Sequence, residues 1–63
     1  MSDSDRLLSE KELSQLLGLS VFMVRKMRIK QGMPYIRAGT RVFYREQSVK
    51  RWLLKQEITD HDF

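Results

Sequence analysis

The stretch LLGLSVFMVR, Leu16 to Arg25, decides how this chain folds, because it closes one helix and opens the next across Gly18-Leu19-Ser20. Upstream, Leu8-Ser9-Glu10-Lys11-Glu12 reads as a helix start. Ser9 can accept from the amide three residues on, while Glu12 reaches back to the amide of Ser9, and Leu8 and Leu13 fall at the positions of a hydrophobic staple. Leu13, Leu16 and Leu17 share one helical face, and Gly18 is placed to take the left-handed conformation that ends a helix. A first helix over about Glu10 to Leu17 follows, in which Glu10 and Glu12 have capping roles and no acid/base role. Ser20 is a second N-cap, with Leu19 and Val24 at the next staple positions. The second helix is expected over about Val21 to Lys30. Its apolar side holds Met23, Val24 and Met27 as core, and its opposite side presents Phe22, Arg25, Lys26 and Ile29, flanked by Val21 and Arg28.

Two helices joined by a turn this short, with a glycine in it, make the helix-turn-helix arrangement, whose second helix can enter a DNA major groove. Large apolar groups left among arginines on an outward face usually have a partner. On DNA, Phe22 and Ile29 would touch thymine methyls, and Arg25 or Lys26 would reach guanine O6/N7 or a phosphate. Gly32 ends the second helix and Pro34 prevents its resumption. MPYIRAGTRVFYR, Met33 to Arg45, then reads as a basic β-hairpin. A loop of Gly39-Thr40-Arg41 would pair Ala38 with Val42, Arg37 with Phe43 and Ile36 with Tyr44, giving an inward face of Ile36, Ala38, Val42 and Tyr44. A two-residue loop of Gly39-Thr40 would instead set Arg41 and Phe43 beside Ile36, so burial favours the longer loop, with Arg37, Arg41 and Phe43 outward or at the tip. A last helix over about Glu46 to Glu57 turns Val49, Trp52 and Leu53 to one side and leaves Lys50, Arg51 and Lys55 elsewhere, with Leu54 off the apolar stripe. The expected organisation is a flexible tail over 1–7, one domain over 8–57, and an acidic tail over 58–63 without helix signals.

The 63 residues suffice for one small domain with a compact core, and with no cysteine there is no disulfide framework or thiolate metal site to supplement it. No run approaches a membrane span, and MSDSDRLLSE lacks the charge and apolar regions of an export signal, so a cytoplasmic protein (bacterial host cytoplasm or nucleoid) with no membrane partner is expected. The net charge of +4 conceals a division: residues 20–55 hold ten Lys/Arg against Glu46 alone, while acidic residues dominate both ends. Such one-sided charge on a folded segment points to a polyanion, most often nucleic acid. An enzyme is not expected. Asp60, His61 and Asp62 would make a weakly held metal site with nothing to orient the ligands, and Tyr35 and Tyr44 lack the surrounding groups a recombinase nucleophile needs. Tyr44 is read as core, and no catalytic residue, cofactor, metal or small-molecule substrate is assigned.

In order, these elements resemble the excisionase and MerR-type winged helix-turn-helix DNA-binding domains. The matching residues are Leu8-Ser9, Glu12, Leu16-Leu17-Gly18-Leu19-Ser20, Val24, Lys26, Gly32-Met33-Pro34, Arg37-Ala38-Gly39-Thr40-Arg41, Val49 and Trp52-Leu53. The resemblance implies an α+β, mainly helical fold: helix, turn, recognition helix, β-hairpin wing, C-terminal helix. It implies double-stranded DNA as partner, with Ser20, Val21, Phe22, Arg25, Lys26, Arg28 and Ile29 in the recognition helix and Arg37, Thr40, Arg41 and Phe43 in the wing. Lys30 and Arg45 are further candidates for phosphate contact. Two departures bear on base preference: Met23 stands where such domains often have Thr, and Phe22 is bulkier than their usual polar residue. A MerR-type regulator normally continues into a long dimerisation helix, so a stand-alone domain looks more like a phage or mobile-element excisionase. Such a factor binds several sites near an attachment site, bends DNA and turns an integrase towards excision, with integrase and further copies of itself as candidate partners. The alternatives are a small prophage transcriptional regulator, the DNA-binding part of a phage terminase small subunit, and, in another class, a protein-interaction module such as an antitoxin-like inhibitor.

Overall fold

The capping residues act as the sequence requires. In the computed structural model, which describes residues 6–58, Ser9 Oγ accepts from Glu12 N–H at 3.1 Å while Glu12 Oε1 accepts from Ser9 N–H at 2.8 Å. This box opens helix α1, Glu10–Leu17, and Gly18, at φ 71°, closes it. Ser20 Oγ accepts from Met23 N–H at 3.0 Å and opens helix α2, Val21–Gln31, which Gly32 closes at φ 80°. Helix α3, Glu46–Gln56, starts straight from the sheet at Arg45 and has no side-chain cap; Glu46 N–H donates to the Arg6 carbonyl at 2.9 Å instead.

The sheet has three antiparallel strands, one more than expected. Strands β2, Ile36–Ala38, and β3, Arg41–Arg45, form the hairpin, and β1, Leu7–Ser9, lies on the other side of β3. Leu7, expected in a flexible tail, is therefore the first residue of a strand, paired with Arg45. The rest of the two expected tails, apart from Arg6 and an exposed Ile58, lies outside the described residues, and with it Asp60, His61 and Asp62.

The hairpin register corrects the expected one. Ile36 pairs with Phe43, Arg37 with Val42 and Ala38 with Arg41, which leaves Gly39-Thr40 as a two-residue loop. Gly39 is at φ 65° and, among the described residues, none other than glycine has positive φ, the sign pattern of a type II′ turn with glycine first. The reason lies in β1. Leu8 pairs with Tyr44, both fully within the core, so the inner face of β3 is Val42 and Tyr44. Ile36 and Ala38 fall on the opposite face with Phe43 and Arg41, where the paired Ile36 and Phe43 are both half-buried. Arg37 and Arg41 accordingly leave the hairpin from opposite faces.

The core consists of Leu8, Leu13, Val24, Met33, Tyr44 and Val49, with Leu17, Met27, Val42, Trp52 and Leu53 packed against it. Besides Ile36 and Ala38, two further expected core residues, Leu16 and Met23, are outside it. Leu16 is 52% exposed because the inward stripe of α1 is centred on Leu13, Ser14 and Leu17, and Ser14 is small enough to lie inside with its hydroxyl donated to the Lys11 carbonyl at 2.7 Å. Met23 is 39% exposed because the inward stripe of α2 centres on Val24. The whole is a winged helix-turn-helix of the α+β class, with α1 and α2 as the two helices and β2–β3 as the wing.

Candidate nucleic-acid interface

At 100° per residue, burying Val24 and half-burying Met27 turns positions 22, 25, 26 and 29 outward. Phe22 is 75% exposed and Ile29 61%, with Arg25, Lys26 and Lys30 completing one continuous surface. Ser20 is exposed at the start of α2 with its oxygen engaged as the cap, and Val21 is half-buried. Beside this surface runs an open groove between the start of α1, the face of α2 and the hairpin. Its margins carry Lys11, Arg25, Arg28, Arg37 and Arg41 against the carboxylate of Glu10, with Thr40 at the hairpin end. A concave surface on which cations outnumber carboxylates attracts a polyanion from a distance and holds its phosphates once bound.

The wing cations are ordered by aromatic rings. The Arg41 guanidinium stands 5.1 Å from the centre of the Phe43 ring, so the half-buried Phe43, on the same outer face of β3, backs Arg41. Tyr35 lies under Arg28 at 5.2 Å and under Arg37 at 6.0 Å. Arg45 and Lys30 are exposed at the far end of β3 and at the end of α2.

The side chain of Arg28, expected at the flank of the recognition surface, is turned inward and is only 12% exposed. Its Nε donates to Tyr44 Oη at 3.0 Å, and its Nη2 lies 3.4 Å from Glu10 Oε2. Tyr44 in turn donates its hydroxyl to the same Glu10 oxygen at 2.7 Å. Arg25 donates to the other carboxylate oxygen twice, from Nε at 3.2 Å and from Nη2 at 3.1 Å. Burial works against the charge on Glu10, but the hydrogen bonds from Tyr44 and Arg25 and the positive charges of Arg25 and Arg28 outweigh it, and the carboxyl titrates below its ordinary range. Burial, then the hydrogen bond to Glu10, pushes the Tyr44 phenol up to about 12, so it remains the donor across the neutral range.

The sequence assigns Glu10 only to the cap of α1 and does not mark Lys11 for the site. Nothing in their spacing signals either role, since both depend on α1 beginning alongside α2 and β3. Among the described residues there is no group of side chains that would hold a metal ion, and no helix long and apolar enough to cross a membrane.

Residues 7–57 match the family described as Helix-turn-helix domain, which takes in every element from β1 to α3. The chain belongs to this family of DNA-binding helix-turn-helix domains. No curated protein and no solved structure matches the chain. The family explains why α2 follows α1 across so short a turn: the turn sets the second helix across the first with one face left outside the core. In this helix-turn-helix protein that free face is the one bearing Phe22, Arg25, Lys26 and Ile29.

Proposed function

We propose that the protein binds double-stranded DNA sequence-specifically by laying the outward face of α2 in the major groove while the β2–β3 wing follows the adjacent backbone or minor groove. The observation that carries this reading is the pairing of two surfaces: an α2 face on which Phe22 and Ile29 stand exposed beside Arg25 and Lys26, and a groove edged by Lys11, Arg37 and Arg41. Each supplies what the other lacks. The helix face offers apolar contact for thymine methyls and an arginine for guanine, and the groove offers charge for phosphates, which supply much of the affinity but no sequence information.

Within DNA binding, we infer a role as an excisionase that binds near an attachment site, bends the DNA and favours excision by an integrase. The ordered resemblance from Leu8 to Leu53 supports it. The recognition helix has three turns, too few for tight binding alone, so several copies side by side, or a second protein, would complete a stable complex. A gel-shift titration with competitor DNA, against fragments from the genomic neighbourhood including any attachment site, tests the role. A ladder of cooperative complexes on attachment-site DNA is expected. A single complex at a promoter would make the protein a regulator, and no binding at low salt would remove the DNA reading altogether.

A further inference from the structure

Arg25 presents a puzzle on geometry alone. Its side chain is half-exposed on the DNA-facing surface, where a free arginine would sample many rotamers, yet two of its N–H groups are held by a carboxylate that is itself mostly covered. The carboxylate is in turn fixed from its own backbone and from Tyr44. Glu10 is the first residue of α1, within the Ser9–Glu12 capping box; its Oε2 accepts from Tyr44 at 2.7 Å, and Tyr44 is itself held in β3 opposite Leu8. Arg28 and Tyr44 already satisfy Oε2, so the whole of Oε1 is given to Arg25.

We propose that Glu10 is a positioning residue for DNA readout, which grips the Nε/Nη2 edge of Arg25 and presents the end of its guanidinium to a base edge. A guanidinium has five N–H groups in a fixed fork. With Nε–H and one Nη2–H turned to Glu10, one N–H of Nη2 and those of Nη1 remain pointing away, and this terminal edge is able to bond guanine O6 and N7 together. Holding the side chain in one geometry before DNA arrives reduces the ordering cost of binding and penalises any base that does not fit that geometry. The carboxylate also lowers the net charge of the surface, which weakens attachment to DNA of any sequence. Glu10 thus exchanges general affinity for discrimination. The inference rests on the reading of α2 as the recognition helix.

The test uses the full chain and two duplexes, one enriched by the wild-type protein from a randomised pool and one of scrambled sequence. Glu10→Gln is expected to bind the scrambled duplex at least as tightly as wild type while its preference for the enriched duplex falls about fivefold or more, given that a bidentate arginine–guanine pair is worth roughly 5- to 150-fold. Tyr44→Phe, which keeps the core ring and removes only the anchoring hydroxyl, should lower the preference in the same direction by less. In an Arg25→Ala background Glu10→Gln should leave the preference unchanged. A purely structural Glu10 would weaken both duplexes alike in either background, and a Glu10 that merely repels DNA would strengthen both alike; either result overturns the proposal. Wild-type protein that enriches no sequence would overturn the sequence-specific reading itself, and the role of Glu10 with it.

Discussion

Helices α2 and α3 are equally long, 11 residues each, and both turn cations and large apolar side chains to solvent, yet they make different surfaces. On α3, Lys50 bonds its own helix at Glu46, 3.1 Å away, and Leu54 stands 70% exposed on the side opposite Val49. On α2, the neighbours supply the difference: Glu10 from α1 holds Arg25, and the groove beside it is edged by the wing cations. Charge and exposed apolar area mark both helices as candidates for a partner. What singles out α2 is that two other elements converge on one of its faces.

One core carries both helices, and Leu13→Ala tests this most severely. Leu13 is fully buried, and its truncation should cost about 2–5 kcal/mol of stability. Urea transitions read by Trp52 fluorescence on α3 and by helical circular dichroism should move together. Separate transitions would mean that the two helices are held independently. Next in size is the contrast between cations. Arg25→Ala should cost roughly 1–3 kcal/mol on a preferred duplex and much less on a scrambled one, whereas Arg51→Ala on α3 should change both by no more than about 0.5 kcal/mol. Equal losses at the two sites, read by fluorescence anisotropy, would erase the distinction between the helices. Arg41→Ala on the wing should weaken all duplexes alike and reduce the slope of log affinity against log salt by about 1. A sequence-dependent loss there would make the wing a reader of bases.

The last effect is confined to alkaline pH and concerns the Tyr44 tie, which has no counterpart on α3. The folded phenol titrates at about 12 against an ordinary value of 10.0, so its contribution to stability is whole below pH 10 and is lost as the pH rises towards 12. Urea unfolding from pH 8 upward should show this decline in wild type and a shallower one in Tyr44→Phe. The Glu10 carboxyl works in the opposite sense: its pKa is lowered on folding, so its contribution is present above the ordinary carboxyl range and fades as acid protonates it.

Much of this arrangement is legible in the sequence because it is local. The Ser9–Glu12 box, the Ser20 cap and the closing Gly18 and Gly32 each depend on residues a few positions apart, and they place α1 and α2 to within a residue. The outward face of α2 follows from the same periodicity. The hairpin register depends on a distant partner: Leu8 opposite Tyr44 fixes which face of β3 is inside, and no pattern within 33–45 carries that information. Met33 enters the core for a similar reason, since the chain leaving Gly32 must pass over Met27, whose carbonyl accepts from its N–H. The Glu10–Tyr44 contact spans 34 positions, and only the fold brings its two ends together.

The central claim is that α2 and the wing, and not α3, meet DNA. Titrating isotope-labelled protein with a short duplex and following backbone and arginine side-chain NMR signals tests it most directly. Changes concentrated at Phe22, Arg25, Lys26, Ile29, Arg37 and Arg41, with Lys50, Arg51 and Lys55 unmoved, are the predicted result. Changes centred on α3, or none at low salt, would contradict it.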